Sequence, residues 1–133
     1  MDKAKVYVEV EINPTESEEK VRRAVANIFG DVHMQTKALH KGHQLVAEAT
    51  GLDALSSFQS LLRREHIRSA ARGVFYEGLE RNSVNFCLNK QVAFSGHVSF
   101  SKEIAESPLG PIRVKIECDN PRQLIDWLAP RYV

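Results

Sequence analysis

Residues 4–12, AKVYVEVEI, alternate with a strict period of two. Val6, Val8, Val10 and Ile12 fall on one side, and Tyr7, Glu9 and Glu11 on the other. An extended strand puts every second side chain on one face, so this stretch reads as a strand with one buried face. IRVKIECD, near the other end of the chain, repeats the pattern with Ile112, Val114, Ile116 and Cys118 inward. Between them, residues 32–49 read as two short strands joined at HKGH, a polar turn around Gly42. Neighbouring strands with short connections favour antiparallel pairing.

Helical patterns punctuate these strands. In NPTESEEKVRRAVANIFG, Thr15 with Glu18 three residues on predicts a capping box. Val21, Val25, Ile28 and Phe29 make its apolar stripe, and Gly30 is placed to end it. A second helix starts at residues 50–53 with Leu55, Phe58, Leu61 and Leu62 inward, and runs on into LLRREHIRSAARGVF. Asn120 followed by Pro121 predicts the cap and first residue of a short last helix. Helices that cover one face of a mainly antiparallel sheet make a two-layer α+β sandwich. A length of 133 residues fits one such domain, spanning 1–133.

The segment NFCLNKQVAF, residues 85–94, poses the sharpest question. Asn89, Lys90 and Gln91 interrupt an apolar run in which Val84, Phe86, Leu88, Val92, Phe94, Val98 and Phe100 all occupy even positions. A three-residue turn at 89–91, pairing Leu88 with Val92 and Phe86 with Phe94, keeps every apolar residue on one face. A single long strand bent at Lys90 gives the same phase. Both readings place Lys90 at a tip or an edge. There it is either a polar turn that blocks edge pairing or part of a surface that contacts a polar polymer.

Charge narrows the function classes. The net charge is +1, so no global basic field advertises a nucleic-acid partner. The distribution is uneven: no acid occurs from Arg81 through Lys102, and all five histidines lie between His33 and His97. If the second helix continues, Arg64, Arg68 and Arg72, spaced at four, form a ladder with Arg63 beside it. Guanidinium forks suit phosphate oxygens, and with Arg81, Lys90 and Lys102 they make one basic face. A solvated helix face neutralised by Glu65 is the plain alternative. His97 is placed to stack on a base or to touch a phosphate.

Catalytic and metal chemistry find little footing. His40 and His43 straddle a turn with no cysteine or acid near them, and no metal or other cofactor is expected. Ser95 and Ser99 near His97 lack a nucleophile elbow or triad spacing, and no glycine-rich phosphate loop is present, so no enzyme is expected. Cys87 and Cys118 form no CxxC pair and read as reduced thiols of a cytoplasmic protein. No apolar run is long enough for a membrane helix, and the charged N-terminus is unlike a targeting peptide.

Four blocks, LLRREHIRSAAR, LNKQVAFSGHVSF, SPLGPI and IDWLAP, stand in this order. In them the chain resembles the archaeal uncharacterised protein family 0201, a predicted RNA-binding family, over nearly its whole length. The resemblance implies a fold like that of the large-subunit ribosomal protein that binds 5S RNA, an antiparallel sheet with helices packed on it. It carries no catalytic residues. Arg63, Arg64, Arg68 and Arg72, and Asn89, Lys90 and Gln91, fall inside the matching blocks. Arg68 and Ser69 stand where an acid is expected nearby, which makes this helix more basic than the family pattern. The expected function is a non-catalytic module for structured RNA, with Arg63, Arg64, Arg68, Arg72, Asn89, Lys90, Gln91 and His97 as its contacts. The alternative is a protein-interaction or self-assembly module, a possible homodimer that pairs through the edge of residues 84–94.

Overall fold

The computed structural model describes residues 3–101 and 110–131. In chain order the elements are β1 (Lys5–Ile12), α1 (Glu18–Phe29), β2 (His33–Ala38), β3 (His43–Thr50), α2 (Asp53–Arg64), α3 (Arg68–Glu77), β4 (Leu79–Glu80), β5 (Ser83–Leu88), α4 (Lys90–Phe94), β6 (Phe100–Ser101), β7 (Ile112–Glu117) and α5 (Pro121–Leu128). The strands form one sheet in the order β2-β3-β1-β7-β5-β4, with β6 also paired to β5. Every pairing is antiparallel. The expected two-layer α+β sandwich is what the chain forms.

Register explains the core. Ala47, Val8, Val114 and Phe86 lie in one row across four strands. Leu45, Val10, Ile112 and Leu88 make the next. All eight are buried under the helices. A one-residue slip of any strand would turn its apolar set to water, so the alternation read in β1 and β7 fixes the pairing. Phe29, Phe58, Phe75, Phe86 and Phe100 interlock, with centroids 5.0–6.0 Å apart. They join α1, α2, α3, β5 and β6, and such ring pairs contribute ~1 kcal/mol each beyond their buried area.

Helix ends show how local chemistry sets the path. Ser17, not Thr15, caps α1, and its hydroxyl accepts from Lys20 N. Asn120 caps α5 as expected, its Oδ1 3.1 Å from Gln123 N. The single long helix expected after residue 53 is two. α2 ends with His66 N donating to Arg63 O and Ile67 N to Leu62 O, the paired bonds of a Schellman turn. His66 occupies the left-handed position at φ 58°, and half-buried Ile67 packs against the core. The turn ends α2 at Arg64, and α3 starts separately at Arg68.

The segment after β5 also departs from expectation. It forms neither a tight hairpin nor a bent strand. Asn89 is extended and accepts from Val92 N at 3.0 Å, which opens the short helix α4. β5 lies between β7 on one side and β4 and β6 on the other, so residues 84–88 are interior and the edge proposed there for self-assembly is absent. Residues 107–109 of SPLGPI and Lys102 lie outside the described residues. No helix among the described residues is long and apolar enough to cross a membrane.

Candidate nucleic-acid interface

The polar triplet is mostly turned inward. Lys90 follows the cap residue of α4 and points under α1, with its side chain 1% exposed. Its Nζ donates to Glu11 O at 2.8 Å and to Glu16 at 3.0 and 3.2 Å. The Glu16 side chain is 7% exposed and also accepts from Asn13 N and Asn13 Nδ2. Burial alone would raise its pKa, but the Asn13 N–H groups and the Lys90 ammonium outweigh it and hold the carboxyl below the ordinary value of 4.5. Lys90 is therefore not at a tip: it fastens the loop after β1 to α4. Asn89 serves as the cap, and Gln91 is the exposed member of the three. Asn27 Nδ2 secures the other end of α4 by donating to Ala93 O at 2.9 Å.

The Schellman turn places a second acid–base pair at the surface. Glu65 caps α2, and its Oε1 accepts from Val98 N at 2.7 Å. Its Oε2 lies 2.5 Å from His97 Nδ1. The histidine is 60% exposed and the glutamate 17%. Burial pushes the Glu65 pKa up, but Val98 N–H, His97 and the charge of Arg64 bring it below 4.5. This contact ties the loop after α4 to the corner between α2 and α3. Arg63, Arg64 and His66 are exposed around it. Sequence reasoning missed His66 as a member of this site and gave Glu65 only as a neutraliser of the arginine face. Among the described residues no hydroxyl is hydrogen-bonded to His97 Nε2.

Arg72 has an internal role. It pairs with Asp126 at 2.7 Å and donates to Ala129 O at 3.1 Å, leaving its side chain 15% exposed. Its guanidinium also lies 5.2 Å from the Tyr76 ring centre. Half-buried Arg68 stands one turn earlier on α3. Arg63, Arg64, Arg68 and Arg72 thus do not form one ladder, because the turn at His66 separates the first two from the others. Arg81 lies elsewhere, beside Lys3, Lys5 and Lys115 in a shallow polar depression.

The sheet's uncovered face is different in charge. It forms an open concavity of ≈ 980 Å³, lined among others by Tyr7, Glu9, Glu48, Glu77, Arg113 and Lys115. Glu80 also lines it, so carboxylates outnumber cations there. His40 and His43 are exposed at the β2–β3 turn, and no group of three or more metal-ligating side chains occurs among the described residues. Cys87 and Cys118 are free thiols, and burial pushes the Cys118 thiol pKa up.

A fully antiparallel sheet, helices on one face and a basic corner in the helical layer define a two-layer α+β protein with a candidate surface for anions. A family model described as RNA binding matches residues 5–118. The UPF0201 protein of Sulfurisphaera tokodaii is 42% identical over 127 residues, covering 96% of this chain and 88% of that one. That of Aeropyrum pernix is 40% identical over 129 residues, covering 96% and 86%. The chain belongs to the UPF0201 family. The crystal structure of the UPF0201 protein from Methanococcus jannaschii superposes with a TM-score of 0.84 at 30% identity, covering 97% of this chain and 95% of that one.

Proposed function

We propose that this protein is a non-catalytic RNA-binding module that docks on folded RNA through the corner between α2 and α3. Arg63 and Arg64 contact phosphates. His66, His97 and Gln91 add donors for phosphate or sugar oxygens. Arg68 supports the edge of this surface. The observation that carries the reading is charge segregation. Exposed cations gather where α2 ends, and the one carboxylate among them, Glu65, is already held by Val98 N–H and His97. The family's description as RNA binding points the same way, as does the likeness to a 5S-RNA-binding ribosomal protein that the sequence blocks imply. Lys90, Asn89 and Arg72 act through the fold: Lys90 and Asn89 hold α4 in place, and Arg72 holds α5 against α3.

The test is binding of the purified protein to a structured RNA over a salt series. Counterion release makes the logarithm of affinity fall with that of salt, by ~0.9 per phosphate neutralised on a duplex. Affinity that falls steeply with salt supports the reading. Undetectable or salt-independent binding overturns it.

A further inference from the structure

An antiparallel sheet with one open face is the usual platform for single-stranded RNA, whose unstacked bases lie on aromatic rings there. Here that face is unsuited to the task. Tyr7 stands on β1 directly opposite Glu48 of β3, in a concavity that also carries Glu9, Glu77 and Glu80. A phosphate chain laid across it meets more carboxylates than cations. The other phenylalanine, tyrosine and tryptophan rings among the described residues are engaged as well, Phe94 by packing partly buried against the core. The five interlocked phenylalanines fill the core. Trp127 packs partly buried against it. Tyr76 carries the Arg72 guanidinium at 5.2 Å and that of Arg122 at 5.8 Å from its ring centre.

Cations follow a path through the helical layer instead. Gln59 Nε2 reaches Trp127 O on α5. Arg63, one turn further along α2, starts from that same side of the helix. Arg68, Arg72 and Tyr76, spaced at four, share the side of α3 that meets α5, as the bonds from Arg72 to Asp126 and Ala129 establish. From Arg68 to Tyr76 the helix rises about 12 Å. Over Tyr76 lies Arg122, exposed, with no carboxylate within ion-pair distance among the described residues. Stacking on the ring fixes the plane of its guanidinium and leaves its edge free to donate.

We infer that the RNA taken by this protein is helical, and that it is held by its sugar–phosphate backbone along a track from Arg63 and Arg64, past Arg68, to Arg122 stacked on Tyr76. This rests on the RNA reading and specifies its ligand. Rigid donors on helices, with no unengaged aromatic side chain beside them among the described residues, read a backbone's shape and not its sequence. Arg122, on α5, is the contact that neither the sequence blocks nor the corner reveals.

Anisotropy titrations with a fully paired RNA stem and a single strand of equal length test this, using wild type, Arg122→Ala and Arg122→Lys. The stem is expected to bind about 10-fold more tightly than the strand. Arg122→Ala is expected to weaken stem binding about 5-fold and to make the salt slope shallower by ~0.9, the share of one phosphate. Arg122→Lys restores the slope but only part of the affinity, because an ammonium lacks the planar fork. Equal or tighter binding of the single strand, or an Arg122→Ala variant identical to wild type, overturns the inference while the RNA reading stands. If neither RNA binds, both fall.

Discussion

Lys90 opens α4 and His97 follows it, and each meets a glutamate contributed by another part of the chain. Lys90 meets Glu16, with the two side chains 1% and 7% exposed. His97 meets Glu65, at 60% and 17%. Two basic side chains that each meet a glutamate at hydrogen-bond distance have opposite consequences. In the first pair water is gone, so either charge left alone has nothing to solvate it, and the pair is part of the architecture. In the second, water screens the attraction and the imidazole edge stays accessible, so the contact positions a loop and leaves a donor at the surface. Arg72 and Arg122 divide the same way around Tyr76: one is closed by Asp126 and Ala129 O, the other exposed. Burial therefore sorts these basic side chains into those that hold the fold and those left exposed at the surface.

The largest test of that sorting is Lys90→Ala. It strands the Glu16 carboxylate and should cost ~3–5 kcal/mol in urea unfolding. The Lys90→Met, Glu16→Gln double variant keeps an acceptor for Asn13 N and removes both charges. It should be less destabilised than the sum of its single changes. A Lys90→Ala protein as stable as wild type would break the comparison.

Acid should act on the same pair. The folded pKa of Glu16 is below its ordinary 4.5, so its contribution is complete above 4.5 and is lost as pH falls through the folded value. Glu65 is lowered in the same direction. Unfolding midpoints measured from pH 6 downward should hold until about the ordinary carboxylate range and then fall, and the fall should be smaller in the double variant.

His97→Ala, by contrast, should shift stability by no more than about 1 kcal/mol, because the pair is partly exposed and Val98 N–H still holds Glu65. Smallest of all, His66→Gly should raise stability by roughly 0.5 kcal/mol, since glycine accepts the left-handed conformation without cost but loses more entropy on folding. A large destabilisation from either change would show that the corner is architectural after all.

These contrasts also explain what could be read in advance. The alternation in β1 and β7 and the Asn120–Pro121 start of α5 are local signals, and each is realised where the pattern lies. The Asn89 cap was a local signal too, but Val92 and Phe94 keep the even phase of β5, so a five-residue helix imitates a continuing strand. The break between α2 and α3 carries no glycine or proline: His66 stands where glycine usually would. The fates of Lys90 and Arg72 depend on Glu16 and Asp126, which lie far away in sequence, and no local pattern announces such partners. His66 and Arg122 were likewise invisible, one in an unmarked turn and the other set by packing of α5 on α3.

The most direct measurement is the salt dependence of RNA affinity for an Arg63→Ala, Arg64→Ala variant beside wild type, with unfolding followed on the same samples. The account predicts unchanged stability within about 0.5 kcal/mol, weaker binding, and a salt slope shallower by ~1.8, the share of two phosphates. Equal slopes and affinities would contradict it, because the exposed cations of the corner would then not be where the RNA lies.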